Sequence, residues 1–225
     1  MSRRPRVGLL VPSSNIVMER DLHREAGAFA DVHTARMYMV DTTRDGEQYM
    51  LDEEAMPAAR RIATVEPDVV VFGCTSASSL HGREYDQEFR GRLAAQVGVP
   101  VLGVLSSVVE VLAGTGPVNL FTPYVDELTG TIAASLRAEG IAVVSADGLG
   151  IQKNLDIGEL VPDEIVREVA ALRLPEASTL FCSCTNLRSF ECRLQLAEKT
   201  GRNVVTSNQA VTARLRAHLG VGGES

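Results

Sequence analysis

The sequence predicts an α/β protein built as two similar halves, each with a parallel sheet flanked by helices. Three observations carry this. Short runs rich in Val, Ile and Leu alternate along the chain with amphipathic stretches of helical length, the pattern of strand–helix–strand crossovers. Several of these runs lack alternation of apolar and polar residues, as strands buried on both faces of a parallel sheet do. Two short motifs also repeat at nearly one offset. Val7-Gly8-Leu9-Leu10-Val11-Pro12 is echoed 111 residues later by Val118-Asn119-Leu120-Phe121-Thr122-Pro123, and Phe72-Gly73-Cys74-Thr75 is echoed 110 residues later by Cys182-Ser183-Cys184-Thr185.

Taken in order, strands are expected at Arg6–Val11, Val32–Met39, Asp68–Phe72 and Pro100–Val104, then at Pro117–Phe121, Ile141–Ala146, Ser178–Phe181 and Asn203–Thr206. Helices are expected at Asp52–Val65, Tyr85–Val97, Asp126–Glu139, Asp163–Leu172, Leu187–Thr200 and Gln209–Leu219. Gly98 with Pro100, Gly114 with Gly116 and Pro117, Gly140 and Gly201 punctuate the joins, where Gly and Pro end regular structure. The boundary falls near Gly114–Pro117, giving halves 1–114 and 115–225, with the C-terminal helix free to pack back on the first. Gly148–Val161 carries three glycines and no clean period. It reads as an irregular loop, and long loops in α/β domains often cover a site.

Composition narrows the function. The chain has 225 residues, 45% hydrophobic and 23% charged, with a net charge of −7. That balance disfavours nucleic acid or an anionic membrane as the main partner. Arg3, Arg4 and Arg6 are the only basic cluster and read as a solvated leader to the first strand. No apolar run approaches the roughly 20 residues of a membrane helix, and Val7–Val11 is too short for a signal-peptide core. A cytoplasmic protein is expected, with its four cysteines free.

Three segments share one layout, an apolar strand followed by small polar residues and then a helix: Val11-Pro12-Ser13-Ser14-Asn15, Phe72-Gly73-Cys74-Thr75-Ser76 and Cys182-Ser183-Cys184-Thr185-Asn186. Phe121-Thr122-Pro123-Tyr124 is similar. In parallel sheets ligands bind beyond the carboxyl ends of the strands, where unpaired helix-start N–H groups favour anions. Ser, Thr and Asn there serve as plain N-caps or donate to a carboxylate. Cys74 and Cys184 point to chemistry, because they occupy equivalent strand ends, each is followed by Thr, and a helix dipole there would lower a thiol pKa. One thiolate can act as base or nucleophile while the opposing thiol acts as acid. Cys182 is expected inside its strand and Cys192 inside the following helix. The Cys182-x-Cys184 spacing lacks a second ligand pair or a His cluster, so no metal is expected. No phosphate loop or Gly-x-Gly-x-x-Gly follows a strand, so no nucleotide cofactor is expected. His23 and His33 read as surface residues, while His81 follows the Cys74 segment, near the cleft rim.

At these residues the sequence resembles the aspartate/glutamate racemase superfamily, on the branch of maleate cis–trans isomerases and arylmalonate decarboxylases. Val7 to Asn15 is similar to the opening motif of the isomerases, the two family cysteines fall on Cys74 and Cys184, Pro123-Tyr124 with Leu128 matches a strand-end motif, and Asn154 matches a loop asparagine. The resemblance implies two Rossmann-like halves with the active site in the cleft between them, no cofactor or metal, and a possible homodimer. It also implies that Asn15, Tyr124 and Asn154 hold substrate carboxylates, with Ser14, Thr75, Ser76 and Thr185 lining the same site. The expected reaction is maleate to fumarate, through addition of Cys74 thiolate to the alkene and a succinyl-cysteine adduct, with Cys184 handling the proton. The alternatives are an amino-acid or hydantoin-type racemase that uses the cysteines as acid and base, a decarboxylase, and a non-catalytic carboxylate sensor. The decarboxylases carry Gly where this chain has Cys74. The loops around Thr42–Gln48 and Gly148–Val161 are expected to set substrate size.

Overall fold

The computed structural model describes residues 3–221. Eight strands form two four-stranded sheets, all parallel. The first holds β1 (Arg6–Pro12), β2 (Asp31–Met37), β3 (Val69–Phe72) and β4 (Val101–Gly103) in the order β2-β1-β3-β4. The second holds β5 (Val118–Thr122), β6 (Val143–Gly148), β7 (Thr179–Cys182) and β8 (Asn203–Thr206) in the order β6-β5-β7-β8. The two orders are one topology used twice. The register agrees with the sequence repeat: Leu10 pairs with Phe72 in one sheet and Phe121 with Cys182 in the other.

Parallel neighbours need crossovers, and helices supply them. The helices are α1 (Met18–Ala26), α2 (Arg44–Tyr49), α3 (Ala55–Ala63), α4 (Thr75–Ser79), α5 (Gly82–Val97), α6 (Val104–Leu112), α7 (Asp126–Ala138), α8 (Asn154–Glu159), α9 (Pro162–Ala171), α10 (Arg193–Thr200) and α11 (Ser207–His218). A π-helical stretch, Met50–Glu54, joins α2 to α3. Strands β3, β5 and β7 are buried at every residue, whereas the edge strand β6 exposes several of its residues. That contrast is why the central strands read as continuous apolar runs.

The structure corrects several expectations. Gly148–Val161 is not an irregular loop throughout, since Asn154–Glu159 forms α8. Thr42–Gln48 is likewise largely helical, with the Thr43 side chain capping α2 at Gly46 N–H. Leu187–Thr200 is broken, with a 3-10 turn at Arg188–Phe190 before α10, so Cys192 precedes the helix rather than lying within it. Helix α6 lies where no helix was expected, whereas α1 and α4 follow the strand-end segments that called for one. The C-terminal α11 packs on α6 and α1, and Arg216 donates to Glu25 O across that contact. Among the described residues no helix is long and apolar enough to cross a membrane.

Candidate active site

In each sheet the strand order reverses beside the central strand, between β1 and β3 and between β5 and β7. A crevice opens at such switch points beyond the carboxyl ends of the strands. The chain delivers there Ser13-Ser14-Asn15 after β1, Gly73-Cys74 after β3, Pro123-Tyr124 after β5 and Ser183-Cys184 after β7. The two cysteine segments are anchored alike: Gly73 N–H donates to Leu10 O at 2.7 Å, and Ser183 N–H to Phe121 O at 2.8 Å. Glycine suits residue 73, because a Cβ there would lie 2.6 Å from Met18 Sδ and 3.0 Å from Leu10 O, so that the Met18 side chain would have to turn aside.

These ends converge in one buried hydrogen-bonded cluster. Asn15 Nδ2 donates to Thr185 Oγ1 (3.1 Å), and Thr185 Oγ1 donates to Gly73 O (3.1 Å), which ties the two cysteine segments together. Asn15 Oδ1 accepts from Val17 and Met18 N–H and so caps the entry to α1. Asn154 Nδ2 donates to Ser14 Oγ (2.8 Å), and Ser14 Oγ donates to Met39 O (2.5 Å). Asn154 is held over Ser14 by a short pairing of the loops before α2 and α8: Thr42 N–H donates to Gln152 O (2.7 Å) and Asn154 N–H to Val40 O (3.0 Å). Thr75 Oγ1 donates to Ser207 Oγ (3.2 Å), which also accepts Cys184 N–H (3.1 Å). The nine residues singled out from the sequence are thus brought together, and apart from the half-buried Ser14 all are buried.

Three further residues belong to the cluster. Asn186 links both halves, since its Oδ1 accepts Ile16 N–H (2.8 Å), its Nδ2 donates to Asn154 O (2.6 Å), and its backbone N–H points at Cys184 Sγ (3.1 Å). Ser207 opens α11 directly after β8. Thr206-Ser207-Asn208 follows the same rule of strand, small polar residues and helix that marked the other segments, so a signal for it existed. Glu47 is the third. It sits in α2, fully buried, with Cys74 Sγ donating to its Oε2 at 3.3 Å and Ser76 Oγ donating to its Oε1. Nothing in Arg44-Asp45-Gly46-Glu47-Gln48-Tyr49 distinguishes Glu47 from a solvated helix residue.

Burial dominates the electrostatics. It raises the Glu47 carboxyl from 4.5 to about 7, against the opposing pull of the Ser76 and Cys74 hydrogen bonds. Burial, and then the Glu47 charge, hold the Cys74 thiol well above its ordinary value. Burial pushes Cys184 up to about 12, although donors from Tyr124 and Asn186 N–H pull the other way. Neither thiol is therefore depressed by a helix start, as the sequence suggested. The helix after Cys74 has only five residues, and no α-helix begins directly after Cys184. Tyr124 stays protonated far above its ordinary range, by burial and then by its proximity to Cys184 and Cys74. Tyr124 is thus the donor beside Cys184, while Cys74 acts on it only through its charge.

His81 is exposed at the outer rim, where it bonds the Gln48 side chain next to Glu47. His23 is exposed and His33 half-buried. Cys182 ends β7, and burial raises its thiol pKa. Among the described residues no group of three or more His, Cys, Asp or Glu side chains is placed to hold a metal ion.

Equivalent cysteines at the switch points of two sheets of one topology define a class of two-thiol α/β enzymes. The arylmalonate decarboxylase family model matches residues 7–225, and the chain belongs to that family. It is also similar to a maleate isomerase from Geobacillus stearothermophilus, 26% identical over 97% of this chain and 93% of the relative. Two solved structures share the fold. A maleate isomerase from Pseudomonas putida with maleate bound superposes at a TM-score of 0.89, with 23% identity over 97% of this chain and 93% of that one. A Nocardia farcinica maleate cis–trans isomerase variant with a covalently bound succinylcysteine intermediate superposes at 0.88, with 24% identity over 97% and 94%.

Proposed function

We propose that this chain is a maleate isomerase, converting maleate to fumarate through an adduct on Cys74. The observation that carries this reading is the convergence of two buried cysteines from equivalent strand ends on one cluster of amide and hydroxyl donors that ties their segments together. The family and the isomerases it resembles along nearly its whole length support it.

The Cys74 thiolate adds to one alkene carbon, forming the C–S bond. The displaced π pair moves to the neighbouring carbon and into its carboxylate. Cys184 then gives that carbon its proton. The former double bond is now single and rotates. Cys184 takes the proton back, the C–S bond breaks, and fumarate leaves with the thiolate restored. Covalent addition removes the rotational barrier of the alkene, while fixed donors hold the charge that develops on the carboxylate. Asn15 and Asn154 bind substrate by exchanging their partners Thr185 Oγ1 and Ser14 Oγ for carboxylate oxygens. Thr75, Ser76, Thr185 and Tyr124 complete the donor set. The pairing of residues 40–42 with 152–154 parts to admit the substrate.

With this reading go a division of the chain into halves 1–114 and 115–225 and work in the cytoplasm, where thiols stay reduced. The first experiment follows maleate in D2O by proton NMR, beside a panel of chiral amino and aryl acids. Fumarate from maleate, lost in both Cys74→Ala and Cys184→Ala, is expected. Deuterium entering the α-carbon of a panel acid, with no reaction of maleate, would replace this reading by a racemase.

A further inference from the structure

We propose that Glu47 is the base that takes the proton from Cys74, and that its neutral carboxyl then faces the incoming dianion as a donor. This rests on Cys74 being the nucleophile, and not on which alkene it attacks.

The argument starts from geometry. Among the described residues no cation pairs with Glu47: its two oxygens are occupied by Cys74 Sγ and Ser76 Oγ. Its own helix contributes Arg44, exposed and ion-paired with Glu127, and exposed Asp45. The π-helical stretch that follows contributes Asp52 and Glu53, both exposed, and Glu54, which accepts Tyr38 N–H. Helix α4, packed against α2, is Thr75-Ser76-Ala77-Ser78-Ser79 and carries no charge. Tyr124 and Cys184 lie within range of the Glu47 charge, both buried and protonated at neutral pH, and His81 bonds the neighbouring Gln48 at the exposed rim. An unpaired buried carboxylate is costly, and a structural role would be served as well by glutamine.

The site has a use for the acid that glutamine lacks. A thiol held high by burial is a poor nucleophile, because the thiolate is the reacting species. Transfer of one proton from Sγ to Oε2 makes the thiolate while leaving the net charge of the pair at minus one. It also turns Glu47 from an anion that would repel a dicarboxylate into a hydrogen-bond donor. When the C–S bond breaks at the end of the cycle, the proton returns to sulfur. The Glu47–Cys74 pair titrates as one coupled unit. Its first proton is lost near neutral pH, where Glu47 alone would ionise at about 7.

The test is the pH dependence of iodoacetamide alkylation at Cys74, located by peptide mass spectrometry, in the wild type and in Glu47→Gln. In the wild type the rate should rise with a limb near pH 7. In Glu47→Gln that limb should vanish, and the rate at neutral pH should fall by about 100-fold, the scale of a general base. Glu47→Asp should keep the limb at a reduced rate. The opposing outcome has the opposite sign. If Glu47 only burdens Cys74 with a nearby charge, glutamine lowers the thiol pKa and alkylation at neutral pH becomes faster. That result, or a wild-type limb only in the alkaline range of an unassisted buried thiol, overturns the proposal and needs no folded variant in the second case. A Cys74 that fails to alkylate at any pH while other cysteines react would instead overturn its role as nucleophile.

Discussion

Cys74 and Cys184 occupy equivalent strand ends, yet their surroundings are opposite in kind. Beside Cys74 stands an acceptor, the Glu47 carboxylate. Around Cys184 stand donors, the Tyr124 hydroxyl and the Asn186 N–H. An acceptor can remove a proton from Cys74, whereas donors stabilise the thiolate that remains when Cys184 gives its proton away. The repeated topology places two thiols alike, and the unrepeated side chains around them divide the labour into nucleophile and acid.

Removing the thiols should give the largest effects and should distinguish the two roles. Cys74→Ala should lose at least about 1,000-fold in kcat and form no adduct. Cys184→Ala should lose about 100- to 10,000-fold, the range for a general acid, while an adduct protonated slowly by water, with no base to take that proton back, accumulates on Cys74 as a substrate-sized mass in intact-protein mass spectrometry. An adduct in the first variant, carried by Cys184, would reverse the assignment. Tyr124→Phe tests only the Cys184 side. It removes a donor worth about 1.5–3 kcal/mol to a charged partner, so kcat should fall about 10- to 100-fold. Alkylation of Cys74 should remain unchanged, and its loss would show that the tyrosine serves both thiols.

A smaller effect tests whether the halves must stay in register around Asn186. A Cβ at Gly158 would lie 2.5 Å from Ile16 Cγ1 and 2.8 Å from Asn186 Oδ1. Ile16 is exposed and can turn aside, but Asn186 Oδ1 is held by Ile16 N–H. Gly158→Ala should therefore displace Asn186, the donor to Cys184, and cost about 10-fold in kcat, a fraction of what a 1 Å misplacement can cost. Unchanged kcat in a folded variant would mean that Asn186 does not position the acid.

The strands and strand-end residues were legible because burial on both faces leaves unbroken apolar runs, and because the chain states its plan twice. Helix α6 was not legible: Val104–Leu112 is Val-rich, with most of its length buried, and α11 packs against it, so a clear polar stripe is missing. The identity of Cys74 and Cys184 followed from the repeat, but their environment did not. The donors Tyr124 and Asn186 and the acceptor Glu47 come from separate stretches of chain, and only tertiary packing decides that Glu47 faces inward while Asp45 in the same helix faces water. The assumed helix-start activation failed for the same reason, since five-residue α4 offers little dipole and burial acts against it.

The smallest effect concerns stability, and it reads the Glu47 environment directly. The buried carboxyl holds its proton up to about 7, against 4.5 for the free group. Between those values the folded chain keeps a proton that the unfolded chain has released, so stability falls as pH rises through the window. Below about 4.5 both states are neutral and nothing is lost, and above about 7 the loss is complete. At about 1.4 kcal/mol per pKa unit the loss is roughly 3 kcal/mol. Glu47→Gln carries no such titration. Its Tm relative to the wild type should therefore climb between about pH 4.5 and 7, by several degrees at about 2–4 °C per kcal/mol for a chain of this size. Cys184→Ala, whose thiol does not ionise in that range, should track the wild type throughout. A Tm difference for Glu47→Gln that stays flat across the window would mean that Glu47 ionises as freely folded as unfolded. The contrast between an acceptor at Cys74 and donors at Cys184 would then be one of hydrogen bonding alone, without the strained carboxylate that makes a base.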